Sequence, residues 1–291
     1  MDTRFLETFL TVARRGSLAD AAVELDITAT AVAQRIRTLE AELGVKLLER
    51  AGRSVRPTEA GHAVADRATP LLHGLRDLRT AVQGGAIMGK LRVGAISTAQ
   101  TGLFPRVLGR LAREAPGLEV ALEPGTSAAL YERTLAGELD VSAIVKPGFA
   151  LPKTTEFRLW RSEPLILLAP RGEESRDALH LLKARPFIRY DRRQWGGRLA
   201  ADYLGARGIV PAQRFELDSL EAIAVMVDGG LGVSIVPEWA APWPEGLRLT
   251  RIALPPPVPV RALGLLWLRG TAQRHLIRKM VDIALDGAPQ A

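Results

Sequence analysis

The sequence predicts an N-terminal bundle of short helices with a β-hairpin, one long helix, and a C-terminal α/β domain. Three successive patterns along its 291 residues support this fold class. Short amphipathic stretches that end in a basic turn fill residues 1–57, and one helical pattern fills residues 58–89. Over residues 90–291 strand-like and helical segments alternate, which is typical of α/β layers with largely parallel sheets.

The composition excludes several classes of protein. Apolar residues make up 47% of the chain and charged residues 24%, which is ordinary for a globular protein. No apolar run approaches the ~20 residues of a membrane span, and the first residues lack the features of a secretory signal. No cysteine is present. We therefore expect a cytoplasmic protein without disulfides or thiolate metal sites.

The net charge of +7 suggests an anionic partner but does not locate one. Residues 1–89 are almost neutral, and most of the basic excess lies in residues 90–291. The local arrangement of side chains, and not the net charge, therefore indicates where a nucleic-acid site lies.

Three short helices are predicted in the first 45 residues. Gly16 ends the first helix, and Ser17 and Thr28 are placed to cap the second and third, because their hydroxyls can accept free backbone N–H groups. Apolar residues recur at helical spacing in each helix. In the third they are Val32, Ile36, Leu39 and Leu43.

The polar face of the third helix carries side chains suited to DNA bases. Arginine and glutamine form paired hydrogen bonds to base edges in the major groove. A helix, a short turn and a second helix of this kind form a helix-turn-helix. The candidate DNA contacts of this segment are Thr28, Thr30, Gln34, Arg35, Arg37 and Thr38.

A predicted hairpin follows, with two short extended pieces around the turn Ala51-Gly52-Arg53. Its candidate DNA contacts are Lys46, Arg50, Arg53 and Arg56. Four cations so close together can neutralise phosphates and release counterions. By themselves they fit a solvated charged hairpin about equally well. The neighbouring polar helix favours a DNA-binding wing.

The same segment carries a long motif of apolar and small residues at fixed spacing. It reads Phe9-Leu10-x-Val12-Ala13-x-x-Gly16-Ser17-x-x-x-Ala21-Ala22-x-x-Leu25, then Ala31-Val32, Ile36-x-x-Leu39-Glu40-x-x-Leu43-Gly44-x-x-Leu47-Leu48-x-Arg50, and Thr58-Glu59-Ala60-Gly61. In this motif the chain closely resembles the LysR-type transcriptional regulators. The resemblance implies a winged helix-turn-helix that binds duplex DNA.

The sequence departs from the usual family pattern at the recognition helix. The family usually has Ser-Gln before this helix, where this chain has Thr28-Ala29. It also usually has a serine after Ala31-Val32, where this chain has Ala33. We therefore expect base reading to shift onto Thr30, Gln34 and Arg35.

The long helix is predicted to begin at the cap Thr58. Its apolar residues are spaced alternately by four and three positions: Val64, Ala68, Leu71, Leu75, Leu78 and Val82. Such a heptad seam predicts a partner helix, although packing against the protein's own core is the alternative. Pro70 should bend the helix near Asp66. The resemblance implies a homodimer paired through residues 58–87, and we expect a homotetramer through the C-terminal domains.

Residues 90–291 resemble, more loosely, the family's effector-binding domain, which has the two-lobed fold of periplasmic binding proteins. The matching pieces are Leu91-Arg92-Val93-Gly94-Ala95, Leu135-x-x-Gly137-Glu138-Leu139-Asp140 and Gly230-Leu231-Gly232-Val233-x-x-Val236-Pro237. The family's chain crosses twice between the lobes. We therefore place lobe one at 90–161 and 264–291, and lobe two at 162–263.

Ligands of such folds bind between the lobes, beyond the carboxyl ends of strands. Hydroxyls and free N–H groups at helix starts there suit a small organic anion, although each Ser or Thr taken singly fits a simple helix cap. Arg189 is the preferred counter-charge because its planar group pairs bidentately with a carboxylate, and Lys146 is the alternative. The candidate effector-binding residues are Ser97, Thr98, Gln100, Thr126, Ser127, Lys146, Arg189, Tyr190, Trp195 and Ser219.

The sequence favours a ligand-responsive transcription factor over three other functions. The four scattered histidines form no metal or catalytic cluster, so we expect no enzyme, metal or cofactor. A solute-binding transport component is compatible with the fold but not with the DNA-binding motif. An architectural DNA binder leaves the two-lobed domain without a purpose. We therefore predict that an effector between the lobes shifts the subunit arrangement and promoter binding.

Overall fold

The computed structural model describes residues 2–52, 54–82, 88–271 and 273–286. It divides into two compact units, Met1–Gly84 and Gly85–Ala291, apart from the short turn 136–138.

The N-terminal unit contains four helices and a hairpin among its described residues. They are α1 (Thr3–Arg15), α2 (Leu18–Glu24), α3 (Ala29–Leu43), β1 (Leu48–Ala51), β2 (Ser54–Pro57) and α4 (Glu59–Val82). The predicted helix ends are confirmed. Gly16 has the left-handed conformation (φ 67°), and the hydroxyls of Ser17 and Thr28 accept the N–H groups of Asp20 (3.3 Å) and Ala31 (3.1 Å). The predicted winged helix-turn-helix is therefore present.

The core of this unit is formed by the apolar faces of α1, α2 and α3. Val32, Ile36 and Leu39 are buried as predicted, but Leu43 is 38% exposed, so its predicted inward position is wrong. Gly44 ends α3 in the left-handed conformation and turns the chain. Leu47, beyond that turn, is fully buried in the core.

The long helix α4 is capped as predicted, with the Thr58 hydroxyl accepting the Gly61 N–H at 3.0 Å. Ala68 is buried in the unit's own core and Val64 packs against it, which was the alternative to a partner helix. Leu71 is 62% exposed. The helix continues through Pro70, and the bend near Asp66 stays a prediction. The side chains of Leu78 and Val82 lie outside the described residues.

The C-terminal unit is α/β, as predicted. Its elements are β3 (Met88–Ala95), α5 (Ser97–Gly102), α6 (Phe104–Glu114), β4 (Gly117–Pro124), α7 (Ser127–Leu135), β5 (Val141–Val145), β6 (Thr155–Pro170), α8 (Ala178–Ala184), β7 (Phe187–Tyr190), α9 (Trp195–Ala206), β8 (Gln213–Leu217), α10 (Leu220–Asp228), β9 (Ser234–Pro237), β10 (Leu249–Ala253), β11 (Val260–Leu268) and α11 (Arg274–Leu285).

The sheet is mixed, so the expectation of largely parallel sheets is wrong. Strands β4, β3 and β5 are parallel, and β7 pairs with β8 in parallel. Strand β11 pairs antiparallel with β5 and β6, and β6 also pairs antiparallel with β9 and β10. The antiparallel pairs arise because β6 and β11 carry the chain between the lobes in opposite directions.

Both crossings lie within these two strands. In β6, Thr155–Pro164 pairs with β11, and Leu165–Pro170 pairs with β9 and β10. All of β11 from Val260 onward pairs with β6 or β5. Residues 162–164 and 260–263 are thus paired with one another within this sheet, and the lobe boundaries at 161 and 264 stay a prediction. Separate apolar clusters fill the two lobes.

Replacement of Gly61 by alanine should destabilise the N-terminal unit. A Cβ there would lie 2.1 Å from the carbonyl oxygen of Leu47, which already accepts the Thr58 N–H at 2.9 Å. Forced overpacking of this kind costs about 1–3 kcal/mol. Thermal unfolding of the full chain measures the loss.

Gly109→Ala is the control, because a Cβ at this helical position in α6 meets no atom within 4 Å. It should be neutral or slightly stabilising, since alanine favours helices over glycine by roughly 1 kcal/mol. Equal unfolding temperatures for Gly61→Ala and the parent chain would contradict the close approach of α4 to Leu47.

Candidate functional sites

The exposed face of α3 carries part of the predicted DNA-contact set. Thr30, Gln34 and Arg37 are exposed and lie about one turn apart. The Arg37 guanidinium donates to the Gln34 side-chain oxygen at 2.8 Å. Thr28 is exposed but caps the helix, and the Thr38 hydroxyl donates to the Gln34 carbonyl at 3.0 Å. This face therefore offers both donors and acceptors to a partner.

Arg35 does not lie on that face, so its predicted position is wrong. It is half-buried, and its guanidinium donates to the hydroxyl of Thr8 on α1 at 3.3 Å. The reason is geometric. At 3.6 residues per turn, Arg35 lies beside the buried stripe of Val32 and Leu39 rather than opposite it.

The hairpin keeps fewer free cations than the sequence suggests. Lys46 is paired with Glu40 at 2.6 Å and Arg56 with Glu49 at 2.7 Å. Arg50 is exposed and has no ionic partner among the residues described. Arg53 lies outside the described residues. The Arg56–Glu49 pair is exposed on both sides, and such pairs are worth little, so Arg56 can still exchange its carboxylate for a phosphate. The Lys46 side chain is itself exposed, but its partner Glu40 is buried.

Glu40 is a buried acid that the sequence analysis did not single out. Its carboxylate accepts the backbone N–H groups of Leu47 (2.9 Å) and Leu48 (3.3 Å) and the ammonium of Lys46. Burial alone would raise its pKa, but these three hydrogen bonds lower it below the usual value. Glu40 thereby attaches the end of α3 to the start of the hairpin. The sequence feature that could have identified Glu40 is its place beside Leu39 in the motif of apolar and small residues.

A cavity of about 350 Å³ lies between the two lobes of the C-terminal unit. Its lining includes seven of the predicted effector-binding residues: Ser97, Thr98, Thr126, Ser127, Tyr190, Trp195 and Ser219. They come from both lobes, at the ends of β3, β4 and β7 and at the starts of α5, α7, α9 and α10. The cavity therefore lies where the fold class led us to expect it.

Three predicted residues do not line this cavity. The Gln100 amide donates to the Ala95 carbonyl at 2.8 Å, and Lys146 is an exposed side chain. Arg189 donates to the side chain of Gln213 at 2.5 Å and lies over the ring of Phe187. Neighbouring side chains on a strand point to opposite faces, so Tyr190 in the cavity places Arg189 on the other side.

Arg261 is the cation that lines the cavity, and the sequence analysis missed it. It is fully buried and opposite Glu163 in the pairing of β11 with β6. Its Nε and Nη2 donate to the Glu163 carboxylate at 2.7 and 2.5 Å, and Nη2 also donates to the Thr98 hydroxyl at 3.1 Å. Burial raises the pKa of the adjacent Tyr190, and the positive charge of Arg261 opposes this rise.

The hydroxyls around the cavity are largely used within the protein. Those of Thr126 and Ser219 accept backbone N–H groups of their own helices, and that of Ser127 accepts the N–H of Val145. The lining also includes two carboxylates, Asp218 and Glu221. The cavity wall is therefore mixed in charge and not uniformly basic.

Two contacts join the lobes beside the cavity. The Ser97 hydroxyl of lobe one donates to Glu221 of lobe two at 3.4 Å. The ring of Trp195 meets the rings of Tyr131 and Phe149 edge-on, at centroid distances of 5.9 and 5.7 Å. Opening of the cleft at this side must separate these rings.

The described residues contain no group of histidines and carboxylates placed to hold a metal ion. None of their helices is long and apolar enough to cross a membrane.

Two family models match the chain. One is described as a bacterial regulatory helix-turn-helix protein of the lysR family and matches residues 3–62. The other is described as the LysR substrate binding domain and matches residues 84–289, most of the chain. The chain belongs to the LysR family. As a LysR regulator it is a ligand-responsive, DNA-binding transcription factor and not an enzyme, as the sequence predicted.

Similar LysR regulators extend over nearly the same length. The HTH-type transcriptional activator CmpR of Synechocystis is 31% identical over 79% of this chain and 77% of its own. The DNA-binding transcriptional dual regulator OxyR of Escherichia coli is 28% identical over 97% and 94%.

Solved structures of full-length regulators agree with this fold. A full-length OxyR variant from Pseudomonas aeruginosa has a TM-score of 0.75 at 25% identity and covers 100% of this chain and 98% of that one. Full-length CbnR complexed with its target DNA has a TM-score of 0.67 at 25% identity, with coverage of 99% and 100%.

Replacement of Glu40 by glutamine should destabilise the N-terminal unit at neutral pH by about 1–3 kcal/mol, the cost of weakening hydrogen bonds to a buried charged group. The folded pKa of Glu40 is lowered, so its stabilising effect is present above the unfolded value near 4.5 and is lost as the pH falls. Unfolding at pH 7 and at pH 4 should therefore show a smaller difference between variant and parent at pH 4.

Glu49→Gln is the matched control, since Glu49 forms an exposed ion pair with Arg56 in the same hairpin. It should change stability little at either pH. A Glu40→Gln effect of equal size at both pH values would show that the charge of Glu40 is not what stabilises the unit.

Proposed function

We propose that this LysR regulator places α3 in the major groove of promoter DNA and its hairpin on the phosphate backbone. The exposed row of Thr30, Gln34 and Arg37 carries this proposal, because these side chains can bond to base edges. Arg50 of the hairpin supplies a cation that is not paired within the described part of the unit. Promoter binding places the protein in the cytoplasm.

Residues 58–87, which include α4, are the proposed site of homodimer formation. Val64 and Ala68 pack on the protein's own core, so the partner-facing seam begins at Leu71, whose side chain is exposed. An exposed leucine in a heptad pattern favours a second helix over solvent. Two paired chains then present two α3 helices to half-sites one or more helical turns apart. A homotetramer through the effector domains is part of the same proposal.

The proposed effector is a small organic anion that also carries a hydroxyl or amino group. Arg261 supplies the positive charge, and a carboxylate is the group its guanidinium binds best. Asp218 and Glu221 accept hydrogen bonds from the second group. A cavity of this size suits a metabolite rather than a polymer.

The signal is proposed to be reversible ligand binding and not thiol oxidation. Some LysR relatives are named as hydrogen peroxide-inducible genes activators, for example that of Haemophilus influenzae, 27% identical over 98% of this chain. Cysteine is the side chain that such oxidants modify most readily in a reversible way. None of the 291 residues is cysteine.

The proposed mechanism is a population shift. A ligand that contacts Arg261 and Glu221 together favours one arrangement of the lobes, because these residues approach the cavity from β11 and from α10 of lobe two. The Ser97–Glu221 hydrogen bond and the Trp195 ring contacts break when the cleft opens and form again when it closes. The subunit arrangement follows, and with it the spacing or bending of the bound DNA.

Two variants separate base reading from phosphate binding. Gln34→Ala should relax base preference at one position, at a cost of about 1–3 kcal/mol against the preferred base. Arg50→Ala should weaken binding to all sequences alike and lower the slope of log affinity against log salt by about one. Binding titrations on matched and shuffled operators at several salt concentrations measure both. If Gln34→Ala lowers affinity for every sequence equally, α3 does not read bases through Gln34.

Footprinting on the promoter region of the protein's own gene tests the whole proposal. Protection should appear, and its extent or spacing should change when an organic anion from a metabolite panel is added. Absence of protection at any ligand concentration would contradict the proposal.

Arg261→Lys and Arg189→Lys test the assignment of the counter-charge in that assay. Arg261→Lys should raise the ligand concentration needed for the change at least about tenfold, since paired hydrogen bonds to an ionised group are worth roughly 1.5–3 kcal/mol. Arg189→Lys should leave it unchanged because Arg189 lies outside the cavity. If Arg189→Lys has the larger effect and Arg261→Lys has none, Arg189 and not Arg261 is the counter-charge of the effector.

A further inference from the structure

A second cavity, of about 270 Å³, lies in the C-terminal unit and shares no lining residue with the first. Helices α6 and α11 and strand β6 of lobe one form most of its wall. Ala240 and Ala241, which follow β9, bring lobe two to the same cavity. Gly102 allows this approach, because a Cβ there would lie 2.7 Å from the carbonyl oxygen of Ala240.

The inner wall of this second cavity is apolar. Trp160 is buried, and its ring meets that of Phe104 edge-to-face at a centroid distance of 5.2 Å. The side chains of Val107, Ile283 and Ala284 are buried beside the same cavity. An indole ring with aliphatic neighbours suits the apolar body of a small ligand.

The charged residues that line the second cavity, within the described part of the chain, are all basic. Arg106 is exposed and has no ionic partner among the residues described. Arg110 is held by Glu114 and Asp286, at 3.0 and 2.9 Å. Arg161 completes the set, and the described residues that line the cavity include no carboxylate. This differs from the first cavity, whose wall includes Asp218 and Glu221.

Arg161 carries a polar atom whose hydrogen-bonding capacity is unused. Its Nε is buried and lies 3.3 Å from the Glu163 carboxylate, but the geometry does not make a hydrogen bond. A buried donor left without an acceptor costs about 1–3 kcal/mol. A small shift of this guanidinium toward a ligand carboxylate in the cavity would supply the missing acceptor.

From this combination we propose a second ligand site, for a small organic anion with an apolar or aromatic body. The body lies against Trp160 and its aliphatic neighbours, and the anionic group lies between Arg106 and Arg161. The site is distinct from the proposed effector cavity and goes beyond that function.

The second site is connected to the first by a row of buried charges. Glu163 faces Arg161 with one carboxylate oxygen and Arg261 with the other, and Arg261 bonds to Thr98 in the first cavity. An anion that draws Arg161 away leaves Glu163 paired with Arg261 alone. Arg261 is then less available to an anion in the first cavity, so the two sites should disfavour each other's ligands.

Calorimetric titration of the full chain with phenylacetate tests the site, with 2-phenylethanol and acetate as neutral and ring-free comparisons. Phenylacetate should bind, and the two comparison compounds should bind at least tenfold more weakly. Arg106→Gln should weaken phenylacetate binding about tenfold. Arg106 is exposed and unpaired within the described residues, so this variant should fold normally. Arg113→Gln, two turns along α6 and outside the cavity, is the matched control and should have no effect.

Any of three other results would overturn the proposal of a second ligand site. Equal binding of phenylacetate and 2-phenylethanol would exclude an anion site. Equal loss in Arg106→Gln and Arg113→Gln would indicate a general charge effect. Loss in Arg261→Lys with retention in Arg106→Gln would place phenylacetate in the first cavity. That last result would support the proposed effector site while removing the second one, so the two proposals fail separately.

Discussion

The ion pair between Glu163 and Arg261 is the constraint on which the C-terminal unit depends. Both side chains are almost completely buried, at the point where β6 and β11 carry the chain between the lobes. Buried charges are tolerated only when they are paired and hydrogen-bonded, and removal of one partner is strongly destabilising. The register of these strands, the position of Thr98 and the wall of the first cavity are therefore determined together.

The N-terminal unit uses a smaller version of the same principle. Glu40 satisfies two backbone N–H groups at the start of the hairpin and one lysine, so α3 and the hairpin keep one orientation. Close approach of α4 at Gly61 to the carbonyl of Leu47 fixes the same point from the other side. The exposed side chains of α3 thus stand on a rigid support, which base recognition requires.

Local features were predictable from the sequence, and features set by distant partners were not. Caps at Ser17, Thr28 and Thr58 depend on a few neighbouring residues, and they were predicted correctly. The face assigned to Leu43 was wrong because the chain turns at Gly44 and Leu47, beyond the turn, enters the core instead. Arg35 was assigned to the wrong face although the helical period already places it beside the buried stripe; what the sequence could not show is its hydrogen bond to Thr8, 27 residues earlier. Arg261 was missed because its partner, Glu163, lies 98 residues earlier in the chain. The strand ends and helix starts of an α/β fold nevertheless predicted most of the first cavity's lining.

The pairing of β6 with β11 also bears on how such a chain could have been assembled. Pro164 and Val260 face each other in this antiparallel pair, and lobe two is the chain that runs between them. Lobe two is thus topologically an insertion at the tip of a β-hairpin of lobe one. A short turn between these two residues would close the hairpin of lobe one. Grafting a different insertion at the same point would exchange half of the cleft and would have to replace the contacts of Trp195 with Tyr131 and Phe149.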